Sequence, residues 1–94
     1  MADADFVHVP DRNRFEIHLD GTVIGKSYYR DDQQKRTFTH TEVDPEFQGQ
    51  GLASRLIKVA LDTTAEQGLS IVPQCPAVAA YVKKHHEYDE LLVS

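Results

Sequence analysis

The segment Val43-Asp-Pro-Glu-Phe-Gln-Gly-Gln-Gly-Leu-Ala53 joins two stretches of different hydrophobic periodicity. Residues before it alternate as in a β-strand, and apolar residues after it recur every three to four positions as in a helix. Gly49 and Gly51 permit backbone conformations that a side chain would obstruct, and they let a ligand approach the main chain closely. Free amides at the positive end of a helix dipole suit a pyrophosphate. The segment therefore predicts either an anion-binding loop or a purely structural glycine turn.

Downstream of this segment the sequence predicts a helix, a short strand and a second helix. The apolar stripe of the first helix consists of Leu52, Leu56, Ile57, Ala60, Leu61 and Thr64. Gly68 follows in a helix-terminating position. Residues 69–72 form an apolar strand that Pro73 ends, and Pro76 suits the first position of the next helix. This half of the chain therefore predicts a right-handed β-α-β unit with parallel strands.

Upstream of the segment the sequence predicts an antiparallel β-meander. Short runs rich in alternating, β-branched and aromatic residues occur at 6–9, 14–19, 22–29 and 36–43. Asp20-Gly21 between two of them is a strong hairpin signal. In the last run, strict alternation predicts that Phe38, His40 and Glu42 share one face. The expected fold is α/β of the α+β type, a β-meander that continues into a β-α-β unit and a C-terminal helix.

Composition limits the classes of partner. The chain has 94 residues, one cysteine and a net charge of −5. Its length predicts a single domain, residues 1–94, with residues 1–4 frayed, and its acidity argues against general binding to nucleic acid or anionic membranes. We find no apolar run of membrane-spanning length and no secretory signal, and a lone cysteine suits a reducing compartment. We therefore expect a cytoplasmic monomer or weak homodimer.

The pattern Gln48-x-x-Gly51-x-Ala53 resembles the Gln/Arg-x-x-Gly-x-Gly/Ala loop of the GCN5-related N-acetyltransferase superfamily. That loop binds the pyrophosphate of acetyl-CoA in the family, and Val43-x-Pro45 resembles the usual entry into it. The resemblance implies acetyl-CoA as co-substrate and an unidentified amine as acceptor. It also implies a cofactor site formed by Val43, Phe47, Gln48, Gly49, Gln50, Gly51, Leu52 and Ala53.

Two other stretches narrow the resemblance to very short members of about this length. These are His40-Thr-Glu-Val43 and Val72-Pro-Gln-Cys-Pro76, and the similarity as a whole covers residues 14–92. The usual final Gly-Phe of the family is replaced by His86-Glu87, and the chain departs from larger members in two further ways. It has no counterpart of the amino-terminal helices that wall their acceptor site, and residues 35–38 offer no carboxylate in place of their catalytic glutamate. The resemblance therefore carries over neither the acceptor nor the general base.

Four residues are candidates for chemistry. Cys75 precedes Pro76, and as a helix N-cap its sulfur would lie in a field that favours the thiolate. It could accept the acetyl group, line the pocket, or be an inert buried thiol. His40 and Glu42 could each remove a proton from an amine, or be an ordinary sheet histidine and a solvated carboxylate. Tyr81 matches the family tyrosine that can protonate the departing CoA thiolate, and it would equally suit packing.

A metal site is not expected. The adjacent His85 and His86 point to different sides of a helix, and no ligand pair has the spacing of a zinc site. Three functions then stay open for the chain: an N-acetyltransferase, a CoA-binding module without efficient acetyl transfer, and a structural domain whose loop binds nothing.

Overall fold

The computed structural model describes residues 4–93, which form one five-stranded sheet, two α-helices and three short 3₁₀ helices. The strands lie in chain order and are β1 (Asp5–Val9), β2 (Arg14–Leu19), β3 (Thr22–Asp32), β4 (Lys35–Val43) and β5 (Ser70–Pro73). The helices are α1 (Leu52–Glu66), which follows β4, and α2 (Pro76–Lys84), which follows β5. Strands β1 to β4 pair antiparallel, and β5 pairs with β4 in parallel. The predicted α+β fold is confirmed.

The core lies between one face of the sheet and the helices. From the sheet, Phe15, Ile17 and Phe38 are fully buried, and from α1 Leu56 and Leu61 are fully buried. Burial of each such side chain contributes about 1.5–3 kcal/mol. The predicted apolar stripe of α1 is therefore the face that packs on the sheet. Of the residues expected to fray, 1–3 lie outside the described residues.

The fourth residue that was expected to fray, Ala4, lies within the described residues. Ala4 is half-buried and packs against the hydrophobic core just before β1 begins.

A β-bulge in β4 changes which face of the sheet its later residues lie on. The register between β3 and β4 shifts between the pairs that Phe38 and His40 make, and Thr39 is left as an extra residue that pairs with no residue of β3. An extra residue in one strand reverses the alternation of side chains beyond it. Thr41 therefore lies on the same face as Phe38, whereas His40 and Glu42 lie on the opposite, exposed face. The expectation that Phe38, His40 and Glu42 share a face is wrong.

A buried arginine connects β4 to α1. Arg36 is 3% exposed, and its guanidinium donates to both carboxylate oxygens of Asp31 at 2.8 and 2.9 Å and to Gln67 Oε1 at 2.7 Å. It also lies over the ring of Tyr29, 4.1 Å from the centroid. Because its charge is paired and its donors are bonded, Arg36 can be buried in the core without an orphaned charge.

Candidate functional site

The glycine loop leaves the N-terminus of α1 open. Gly49 has φ 84° and Gly51 has φ 76°, values that glycine adopts without steric cost. Gly51 is the N-cap, and no side chain caps the helix; its carbonyl accepts the amide of Arg55 at 3.2 Å. The amides of residues 52–54 have no acceptor within the helix. Together with the helix dipole they form a site that favours an anion.

Hydrogen bonds within the loop hold this conformation. Gln48 Nε2 donates to the carbonyl of Val43 at 3.0 Å, across the loop. Between them, Pro45–Phe47 form one 3₁₀ turn, and the amide of Phe47 donates to the carbonyl of Asp44 at 2.9 Å. The side chain of Gln48 therefore braces the loop, and the loop has its shape before any ligand arrives.

A cleft of about 410 Å³ opens beside the loop. Its walls come from the end of β4, the loop, and the first turns of both helices. The lining residues are Thr41, Glu42, Val43, Phe47, Gln48, Gly49, Gly51, Leu52, Ala53, Ser54 and Ala77. Of the residues expected to hold the cofactor, all except Gln50 line this cleft; Gln50 is exposed on the loop. The sequence-based set therefore lies around a single cleft.

The inner end of the cleft is the point where β4 and β5 separate. Their ladder ends at the pair of Phe38 and Pro73, and the amide of Cys75 then donates to the carbonyl of Phe38 at 2.8 Å. Past this bond, no described strand pairs with residues 40–43 on the β5 side. An internal strand bonds on both sides, so the backbone groups on the unpaired side of this segment are available to a ligand.

Cys75 occupies the predicted N-cap of α2, with Pro76 as the first helical residue. Its side chain lies behind the wall of the cleft, because the residue is 2% exposed and Sγ donates to Thr41 Oγ1 at 3.5 Å. Thr41 lines the cleft and Cys75 does not. Cys75 is therefore a buried thiol that is linked to the cleft by its hydrogen bond to Thr41.

We expect native Cys75 to react with iodoacetamide much more slowly than free glutathione at the same pH, because a thiol that is 2% exposed is not accessible to the reagent. The rate should rise to that of glutathione in urea, where the chain is unfolded. Alkylation is followed by the mass of the peptide that carries residue 75. A native rate equal to or above that of glutathione would contradict the buried position.

His40 and Glu42 form an exposed pair on the other face of the sheet. Their side chains are 62% and 51% exposed, and His40 Nε2 lies 3.2 Å from Glu42 Oε1. Glu42 also lines the edge of the cleft, whereas His40 does not and instead stacks on Tyr28. The pair combines an imidazole and a carboxylate next to the strand gap, where water has free access.

Tyr81 lies in a second, smaller groove of about 200 Å³ between α1 and α2. Its ring stacks on that of His85 with the centroids 3.9 Å apart. Burial raises the pKa of the Tyr81 hydroxyl, although nearby Lys58 lowers it, and the phenol is therefore protonated near neutral pH. The structure does not bring Tyr81 into the cleft that Thr41 lines.

Three cleft residues were not anticipated from the sequence: Thr41, Ser54 and Ala77. Thr41 lies within residues 40–43, which carry part of the family resemblance, but the bulge at Thr39 reverses the expected direction of its side chain. Ser54 and Ala77 lie in the first turns of their helices, where small residues leave room for a ligand.

Within residues 4–93 there is no group of three or more histidine, cysteine or acidic side chains that could hold a metal ion. None of the described helices is long and apolar enough to cross a membrane.

Comparison with known proteins gives consistent matches. A sequence profile described as GCN5-related N-acetyl-transferase matches residues 14–91. Protein NATD1 of Xenopus tropicalis is 31% identical over 80 residues, which are 83% of this chain and 73% of that protein. The solution structure of a GCN5-like protein from Staphylococcus aureus has a TM-score of 0.75 at 23% identity, covering 100% of this chain and 92% of that one.

A second solved structure is less similar. Ard1 from Thermoplasma volcanium has a TM-score of 0.57 at 21% identity, over 63% of this chain and 41% of that one. At these identities the two solved structures bear on the fold alone, and both agree with the sheet and helices described above.

Proposed function

Because the chain belongs to the GCN5-related N-acetyltransferase family, we propose that it binds acetyl-CoA in the cleft and transfers the acetyl group to an amine. The observation that carries this proposal is a single cleft that joins the open N-terminus of α1 to the gap between β4 and β5. The end at the N-terminus of α1 suits a pyrophosphate. The end at the strand gap offers unpaired backbone groups to the extended, amide-containing arm of acetyl-CoA.

In this proposal the protein acts mainly by holding the reactants together. The amides of residues 52–54 bind the phosphates, and the backbone of residues 40–43 aligns the arm so that the thioester lies in the strand gap. The amine nitrogen attacks the thioester carbonyl carbon and the new C–N bond forms. The C–S bond breaks with its electron pair leaving on sulfur, so that CoA departs as the thiolate. Correct placement of two reacting groups supplies a large part of such a rate enhancement.

The proton that the amine loses needs an acceptor near the gap. Glu42 is the titratable cleft residue nearest to it along β4, and His40 lies 3.2 Å from its carboxylate. We propose this pair as the route by which the proton reaches water. Direct transfer to the amine is favoured over an acetylated Cys75, because the thiol is buried and donates a hydrogen bond to Thr41. A thiol in that arrangement is not presented to the cleft as a nucleophile.

The acceptor can be sought with a panel of small amines, polyamines and peptides. Each is incubated with acetyl-CoA and the protein, and both released CoA thiol and acceptor mass are measured. We expect at least one amine to gain an acetyl mass in proportion to the CoA released. Acetyl-CoA that binds but acetylates no amine would favour the CoA-binding module instead.

We further propose a cytoplasmic location, where Cys75 would stay a free thiol, and a monomer or weak homodimer.

A further inference from the structure

Three polar side chains form a hydrogen-bonded chain beneath the inner end of the cleft. Thr41 Oγ1 lies 2.9 Å from Ser27 Oγ and 3.5 Å from Cys75 Sγ. Ser27 is fully buried and Cys75 is almost fully buried, whereas Thr41 is half-buried and lines the cleft. Of these three side chains, Thr41 is therefore the one that a ligand can touch.

The protons of these groups can be assigned from their partners. Ser27 Oγ makes no hydrogen bond in the described residues other than that to Thr41 Oγ1. A fully buried hydroxyl that donates to nothing is costly, so Ser27 donates to Thr41. The thiol of Cys75 donates to the same oxygen. A hydroxyl oxygen has two lone pairs, and both are then occupied.

The hydroxyl proton of Thr41 consequently has to point away from Ser27 and Cys75. No described side chain or backbone group accepts it, and the free side of Thr41 is the cleft. A donor whose oxygen is fixed by two hydrogen bonds has little rotational freedom left to lose when a ligand arrives. Thr41 thus offers the cleft a single, preoriented O–H group.

We propose that the Thr41 hydroxyl donates to the carbonyl oxygen of the acyl thioester, with Ser27 and Cys75 as positioning residues. This inference rests on the proposed function. In the proposed function the loop amides hold the phosphate end of the ligand and its acyl end lies in the strand gap, where Thr41 lines the cleft. The carbonyl oxygen gains negative charge as the amine attacks, and it loses that charge when the C–S bond breaks. Thr41 keeps its proton throughout and stabilises the charge in between.

The proposal is tested by comparing acetyl-CoA with CoA, which lacks the carbonyl. Thr41→Val keeps the shape of the side chain and removes the O–H. We expect acetyl-CoA affinity to fall about fivefold to tenfold while CoA affinity stays unchanged, as calorimetry would measure for the loss of one hydrogen bond. Thr41→Ser keeps the O–H and should bind acetyl-CoA more tightly than CoA by the same factor as the wild type. A wild-type protein that bound neither ligand would overturn the proposed function itself, and with it this inference.

Positioning is tested with the two buried partners. Cys75→Ser keeps a hydrogen-bond donor and should keep the wild-type ratio of acetyl-CoA affinity to CoA affinity. Cys75→Ala and Ser27→Ala should each lower that ratio, by a smaller factor than Thr41→Val does. If Thr41→Val is too unstable to purify, Thr41→Val combined with Ser27→Ala leaves no buried hydroxyl unpaired and should show the same loss. Equal weakening of acetyl-CoA and CoA in the Thr41 variants, or no weakening of either, would overturn the assignment.

Discussion

Replacing Gly51 with aspartate is expected to weaken acetyl-CoA binding by about 100-fold or more. The new carboxylate would stand at the N-cap of α1, beside the amides that bind the pyrophosphate in our proposal. Two like charges about 4 Å apart repel by about 4 kcal/mol at the effective dielectric of a protein surface, and each 1.4 kcal/mol or so is a factor of about ten in affinity. Isothermal titration calorimetry measures the change directly.

Two matched variants separate charge from backbone effects. Gly51→Asn has nearly the same shape without the charge, tolerates a positive φ, and should lose far less affinity. Gly68→Asp adds the same charge at another glycine of positive φ, 72°, beyond the far end of α1, and should bind acetyl-CoA as the wild type does. Space is not the obstacle at either glycine, because a Cβ there would meet no atom within 4 Å. Wild-type affinity in Gly51→Asp would mean that the loop does not hold the ligand.

Replacing Phe38 with alanine is expected to lower the free energy of unfolding by about 3–5 kcal/mol. The ring is fully buried and packs near those of Phe15 and Tyr29, with centroids 6.5 and 6.2 Å away. Its residue also makes the last pair of the ladder between β4 and β5. Loss of the ring therefore removes packing at the point where the strands begin to separate. Urea unfolding followed by circular dichroism gives the change.

The neighbouring bulge residue supplies the control. Thr39 is exposed and unpaired in the ladder, so Thr39→Ala should change the free energy of unfolding by less than about 0.5 kcal/mol. Equal losses in the two variants would contradict the facing that the structure gives to this strand.

Most of the fold could be predicted because its signals are local. The hairpin at Asp20-Gly21, the stripe of α1 and the N-cap at Cys75 each follow from residues close together in the chain. The glycine loop also has a local cause, since Gly49 and Gly51 both adopt a positive φ. The set of eight cofactor residues came from the family resemblance of this loop, and seven of them line one cleft.

The features that sequence reasoning missed depend on distant partners. The bulge at Thr39 is defined by the register of β3 against β4. The residue type at that position does not indicate a bulge. Arg36 is buried only because Asp31, Gln67 and the ring of Tyr29 converge on it from other elements. The same limitation concealed Thr41, whose direction is set by the bulge.

Amide chemical shifts recorded during a titration with acetyl-CoA test the central claim most directly. Binding in the cleft predicts saturable shifts that are largest for residues 49–54 and 40–43, at the two ends of the cleft, and a similar pattern with CoA at the loop. Amides of β1, the edge strand that β2 and β3 separate from β4, should keep their shifts. Saturable shifts confined to β1, or no shifts at millimolar acetyl-CoA, would contradict the account.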